Sequence, residues 1–80
     1  MSDYIKQLKK ILVLKLKGYK IVDKSPSVFQ LVKENKVAAT IKDQGDFVIV
    51  SISGQDFKYD KWYTKPENLA NVLINYFSNK

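Results

Sequence analysis

The side chains with the greatest capacity for chemistry are fourteen basic residues, all of them lysine. Six of these lysines lie in residues 1–22 against the single acid Asp3, whereas the eight in residues 23–80 face seven acids. Nearly all of the net charge of +6 therefore belongs to the first quarter of the chain. Such an asymmetry favours an anionic partner, which would be a nucleic acid, an acidic protein surface or a membrane surface. The alternative is a solvated helix face that keeps a small protein in solution.

The lysines of this first quarter recur at helical spacing. Lys6, Lys10 and Lys17 are separated by four and seven residues, which places them on one face of a helix. Several of them can then meet one polyanion, and each phosphate contact would release a counterion and make binding salt-dependent. Lysine lacks the planar fork of arginine, so we expect weak sequence preference. The candidate nucleic-acid-binding residues here are Lys6, Lys9, Lys10, Lys17 and Lys20.

A second candidate is the segment 57–65, in which four aromatic residues are interleaved with three lysines. Aromatic faces stack on unpaired bases while ammonium groups meet phosphates, and the same residue types anchor protein interfaces. Phe57 is expected to cap the core, whereas Trp62 and Tyr63 fit a core-edge role and a contact role equally well. The candidate contact residues of this segment are Lys58, Lys61, Trp62 and Tyr63.

Catalysis and metal binding have little support in the sequence. The chain has no histidine and no cysteine, which removes the commonest general base, thiolate metal sites and disulfides. Asp43 and Asp46 lie in an expected turn, where aspartate is favoured for local reasons, and no spacing matches a calcium loop. The only glycines, Gly18, Gly45 and Gly54, are too far apart for a phosphate loop. We therefore predict no catalytic residue, no metal ligand and no cofactor.

Hydrophobic periodicity predicts the strands that must position these residues. The run 47–52 predicts a strand with Phe47, Ile49 and Ser51 on one face and Val48, Val50 and Ile52 on the other. Residues 28–33 and 36–42 predict a hairpin around Glu34 and Asn35. Its second strand should place Val37, Ala39 and Ile41 on the buried face. Residues 53–56 are expected to form a loop.

Two helices are predicted at the ends of the chain. The first should cover residues 3–17 and end at Gly18. Residues 12–17 also alternate as a strand would, but the glycine favours the helix. The second should cover about residues 65–78, with Thr64 as N-cap and Glu67 closing a capping box. The expected apolar stripes consist of Ile5, Leu8, Ile11 and Leu12 in the first helix and of Leu69, Val72, Leu73, Tyr76 and Phe77 in the second.

These elements predict one α+β domain over residues 1–80, in the order α-β-β-β-α. A three-stranded antiparallel meander should carry both helices on one face, and short extra strands are allowed at 19–22 and 57–60. The order resembles that of the double-stranded RNA-binding domain. That family places a lysine cluster at the start of its second helix, where residues 64–70 contain only Lys65. The resemblance covers the order of elements and carries over no residue.

The function predicted from these features is that of a non-enzymatic binding module. It would contact nucleic acid through the lysine-rich first helix, with aromatic support. The alternative is a small protein-interaction or regulatory module, inhibitor-like, of the kind that mobile elements encode, which would use Trp62, Tyr63 and the exposed side of the sheet. No segment approaches the ~20 apolar residues that span a bilayer, and Ile11–Leu14 is too short for a signal peptide. We therefore expect a cytoplasmic protein, monomeric or homodimeric.

Overall fold

The computed structural model describes residues 3–78, which form one antiparallel sheet with a helix before it and a helix after it. In chain order the elements are α1 (Asp3–Lys15), β1 (Lys20–Ser25), β2 (Val28–Lys33), β3 (Lys36–Asp43), β4 (Phe47–Ile52), β5 (Gln55–Asp60) and α2 (Pro66–Ser78). The strands lie in the spatial order β1-β2-β3-β4-β5, so each pairs only with its neighbours in the chain. The predicted α+β class, with a meander and two helices, is confirmed.

The sheet is larger than the three-stranded meander, because both optional strands are full members of it. β1 runs on to Ser25 beside β2, and β5 already begins at Gln55 beside β4. The predicted loop at 53–56 is therefore wrong. Ser53 and Gly54 alone make the turn, and their φ angles of 53° and 81° match the two-residue turns that suit the twist of a hairpin. With five strands, the order also departs from that of the double-stranded RNA-binding domain.

The alternation predicted for β4 is confirmed. Val48, Val50 and Ile52 are buried, whereas Phe47, Ile49 and Ser51 are half-buried on the opposite face. The buried face of the sheet packs against both helices and excludes polar side chains from the core of the described residues. The core consists of Ile5, Leu8, Leu12, Leu16, Phe29, Leu31, Ala39, Ile41, Val48, Val50, Ile52, Leu69, Ala70 and Leu73.

One residue of β3 lies on the other face from the one predicted. Val37 is 55% exposed, although Ala39 and Ile41 are buried as expected. The cause is an irregularity in the β2–β3 ladder: Leu31 pairs with Ala39 but Val32 pairs with Val37, so Ala38 is an extra residue. Such a bulge shifts the alternation by one position and turns Val37 outwards.

The helical alternative is correct for residues 12–15, and the helix ends two residues before the predicted position. α1 extends to Lys15, and the N–H of Leu16 still donates to the carbonyl of Leu12 at 2.8 Å. Gly18 follows with a φ of 84°, the left-handed conformation in which glycine ends many helices.

α2 begins at Pro66, one residue later than the predicted N-cap Thr64 implies. The first helical hydrogen bond runs from the N–H of Leu69 to the carbonyl of Lys65, so Lys65 is the N-cap and Pro66 is the first helical residue. Proline suits that position because its missing N–H would have no helical partner there. The predicted stripe is also displaced, since Val72 and Tyr76 are 45% and 39% exposed.

The two helices lie side by side and run in the same direction. Near their first turns, the Tyr4 hydroxyl donates to the carbonyl of Thr64 at 2.6 Å. At the other end, the rings of Tyr19 and Phe77 lie 5.1 Å apart between centroids. Neither helix of residues 3–78 has the length and apolar character needed to cross a membrane.

Candidate functional site

The outer face of α1 presents lysines to solvent. Lys6 and Lys10 are exposed one helical turn apart, and Lys17 is exposed in the turn that follows the helix. None of these three has a carboxylate partner among the described residues. We call Lys6, Lys10 and Lys17 the lysine face. Lys20, also exposed, opens β1 beyond it.

Lys9 does not belong to this face, although the sequence groups it there. Its amino group bonds to Asp23 of β1 at 2.7 Å and lies 5.8 Å from the centre of the Phe29 ring. Its side chain is only 19% exposed. Lys9 therefore joins α1 to the sheet, and its charge is largely neutralised within the protein.

Two apolar residues also lie on the outside of α1. Val13 and Leu14 are 62% and 63% exposed. The sequence contains a signal for Leu14, since it lies about 180° around the helix from the buried Ile5. The lysine face is therefore interrupted by apolar surface, which the candidate set did not include.

The turn between β5 and α2 exposes the two aromatic residues that the sequence left undecided. Trp62 is 80% exposed and Tyr63 is 88% exposed, so neither ring belongs to the core. Asp60 holds this turn: its carboxylate accepts the N–H of Trp62 at 2.7 Å, and its carbonyl accepts the N–H of Thr64 at 2.9 Å. We call Trp62 and Tyr63 the aromatic turn.

Lys61 is committed to a contact inside the protein. Its amino group lies 2.5 Å from a carboxylate oxygen of Asp43 and 5.5 Å from the centre of the Tyr4 ring. The side chains of Lys61 and Asp43 are 17% and 11% exposed. Lys61 therefore connects the turn after β3, the start of α1 and the aromatic turn, and it is poorly placed to meet an external phosphate.

The remaining candidates of β5 lie on opposite faces of the sheet. Lys58 is on the open face, where its amino group lies 3.9 Å from the centre of the Phe47 ring. Phe57 is on the helix side but is 40% exposed, so it caps the core only in part. The structure thus places only the start of the lysine face, at Lys6, near the aromatic turn. Lys17 and Lys20 follow the other end of α1, and Lys58 lies on the open face of the sheet.

A cleft of about 490 Å³ lies between the first turns of α1 and α2, next to the aromatic turn. Its lining consists of Tyr4, Gln7, Lys61, Lys65, Pro66 and Glu67. Lys65 is exposed here. It belongs to the candidate segment 57–65 but was not among the contact residues predicted for that segment. Burial, and secondarily the Glu67 carboxylate, raise the pKa of Tyr4 to about 12.

The raised pKa of Tyr4 predicts a loss of stability in alkali. Because the folded pKa of about 12 exceeds the ordinary value of 10, the contribution of Tyr4 is complete below pH 10 and is lost as the pH rises through 12. Ionisation also removes the proton donated to Thr64. We expect the stability difference between the wild type and Tyr4→Phe, measured by urea unfolding, to shrink over this range. If the free energies of unfolding of the two proteins changed in parallel with pH, the raised pKa would not belong to Tyr4.

The described part of the chain has no group of three or more acidic side chains arranged to hold a metal ion. The described residues place exposed lysines next to two exposed aromatic rings. Comparison of the chain with protein-family models, with curated proteins and with solved structures found no match.

Proposed function

We propose that the protein is a non-enzymatic module that binds single-stranded nucleic acid. The observation that carries this proposal is the exposure of Trp62 and Tyr63, at 80% and 88%, beside lysines that no described carboxylate neutralises. Exposing two adjacent aromatic rings costs hydrophobic free energy, and unpaired bases provide flat surfaces that cover such rings.

The fold supports a continuous binding surface. The hydrogen bond from Tyr4 to Thr64 ties the first turn of α1 to the aromatic turn. Lys6 lies within one helical turn of Tyr4, and Lys65 lies two residues after Tyr63. A strand stacked on Trp62 and Tyr63 can therefore continue towards Lys6 and Lys10. Contacts of this kind read the phosphate backbone rather than the base sequence.

The test is a titration of the protein with a labelled single-stranded oligonucleotide at two salt concentrations. Four lysine–phosphate contacts, from Lys6, Lys10, Lys17 and Lys65, give a log–log salt slope of about −3 for a single strand. Fourfold more salt should then weaken binding about 50-fold. A duplex of the same sequence should bind more weakly, because its bases cannot stack on the aromatic turn.

Trp62 is the only tryptophan, so its fluorescence reports binding directly. Trp62→Ala should cost about 1–3 kcal/mol of affinity, whereas Trp62→Phe should keep most of it. Lys10→Ala should reduce the salt slope by about 0.7, and Lys36→Ala, at the start of β3, should not. The absence of measurable binding even at low salt would refute the proposal.

A protein partner with an acidic and apolar face is the second candidate. The observation that favours it is the exposure of Val13 and Leu14 next to the lysine face, because a phosphate backbone makes no use of apolar side chains. Leu14→Gln distinguishes the two functions. It should leave the affinity for an oligonucleotide unchanged, and it should weaken a protein complex that buries this face.

A further inference from the structure

We infer that two copies of this chain pair through their β5 strands to form one continuous sheet. This inference is independent of the proposed function. β5 is an edge strand, since it pairs only with β4. An edge strand presents unpaired N–H and C=O groups, which are a template for another strand.

The hydrogen-bonding pattern identifies which residues of β5 face the free edge. The N–H of Lys61 donates to the carbonyl of Asp46 at 3.1 Å, which continues the β4–β5 ladder by one pair. Because bonded and non-bonded pairs alternate in an antiparallel ladder, residues 55, 57 and 59 bond to β4. The backbone groups of Asp56, Lys58 and Asp60 therefore point towards the free edge.

The charges on these residues select the register of a second copy. A register that pairs Lys58 of one copy with Lys58 of the other would also pair Asp56 with Asp60. Every charged pair in that register would then consist of like charges. Pairing Asp56 with its own mate would bring two carboxylates together. Two registers remain, one centred on Phe57 and one on Tyr59, and both place lysine opposite aspartate.

The register centred on Phe57 is the one that the backbone favours. In the other register, Lys58 would pair with Asp60 of the second copy and would need the Asp60 carbonyl, which already accepts the N–H of Thr64 at 2.9 Å. Centring on Phe57 makes two bonded pairs between Asp56 and Lys58. Both pairs join opposite charges.

The helix side of this edge has an apolar surface that the same pairing would cover. Phe57, Val72 and Tyr76 are 40%, 45% and 39% exposed. They line a groove of about 190 Å³ together with Ile52, Tyr59 and Leu73. In the register centred on Phe57, the two Phe57 rings lie opposite each other at the two-fold axis, where cross-strand side chains approach closely. Each groove then lies beside the other copy.

Exchanging the charges of Asp56 and Lys58 tests this pairing, and analytical ultracentrifugation measures the dimerisation of each variant. The wild type should dimerise reversibly. Asp56→Lys and Lys58→Asp should each weaken the dimer about tenfold or more, because two attractions become two repulsions. An equimolar mixture of the two variants should form a heterodimer, and the double variant Asp56→Lys/Lys58→Asp should dimerise like the wild type.

Lys20→Glu is the matched control, because it reverses a charge on β1 at the opposite edge and should leave the dimer intact. Circular dichroism verifies that each variant is folded. A wild type that stays monomeric at the highest soluble concentration would overturn the inference. So would single variants that dimerise as well as the wild type, or a mixture that shows no heterodimer.

Discussion

Replacing Phe29 with alanine should lower the free energy of unfolding by about 3–5 kcal/mol. Phe29 is 1% exposed and is among the largest fully buried side chains of the described residues. It lies on the helix side of β2, opposite Asp23 of β1 and Ile41 of β3, and Lys9 of α1 packs over its ring. Its removal therefore opens a cavity where α1 meets three strands of the sheet. A domain of this length has about 4–12 kcal/mol of stability in total.

Phe47→Ala is the matched control for this prediction. It makes the same chemical change on the opposite face of the sheet, where the ring is half-buried and covered by the Lys58 amino group. We expect it to cost about 1–2 kcal/mol. Urea unfolding should be followed by far-ultraviolet circular dichroism. Trp62 is already exposed in the folded protein, so its fluorescence should change little on unfolding. Equal losses for the two variants would mean that both faces of the sheet are covered.

The parts of the fold that could be predicted are those set by neighbouring residues. Gly18 ended a helix because few other residues adopt a φ of 84° without strain. The alternation over 47–52 assigned each side chain of β4 to a face. Glu34 and Asn35 made a turn with positive φ angles, as expected from the tolerance of asparagine for that region.

Sequence periodicity indicated the two edge strands only as optional segments at 19–22 and 57–60, and it missed their full length. Residues 23–25 of β1 are all exposed, and so are residues 55–58 of β5, so burial imposes no alternation on either strand. Hydrogen bonds to the backbone of the neighbouring strand determine the extent of β1 and β5 instead. Such pairing depends on residues that are distant in the chain. The bulge at Ala38 is of the same kind, because it depends on the register between β2 and β3.

In the candidate site, too, the features set by local spacing could be predicted, and those that depend on distant residues could not. Net charge and helical spacing identified the lysine face, but the partners of Lys9 and Lys61 lie 14 and 18 positions away in the chain. No pattern in the sequence connects such residues. The exposure of Trp62 and Tyr63 was undecidable for the same reason, since it follows from how Asp60 holds the turn between β5 and α2.

Replacing Lys61 with methionine should destabilise the protein by up to about 3–5 kcal/mol, although Lys61 looks like any other surface lysine in the sequence. The change removes the Lys61 ammonium group from the Asp43 carboxylate, which is 11% exposed and also accepts the N–H of Gly45 at 3.1 Å. The cost of an uncompensated buried charge is large because burial removes the water that would otherwise solvate it. Urea unfolding of Lys61→Met against the wild type measures this loss directly.

Lys65→Met is the control, since Lys65 lines the same cleft but is exposed. It should change stability by no more than about 0.5 kcal/mol. A double variant that also replaces Asp43 with leucine should lose less than the sum of the two single changes, because it leaves no unpaired charge. Equal stability of Lys61→Met and Lys65→Met would place the Lys61 amino group in solvent.

Lys61→Met and Lys65→Met also distinguish a residue that holds the aromatic turn in place from a residue that contacts the ligand. Lys61 anchors the turn that carries Trp62 and Tyr63, so Lys61→Met should weaken oligonucleotide binding by loosening the aromatic turn, with the salt slope unchanged. Lys65→Met should instead lower the slope by about 0.7 while the protein remains as stable as the wild type. If Lys61→Met lowered the slope as Lys65→Met does, Lys61 would be a phosphate contact, and its bond to Asp43 would have to open when the ligand binds.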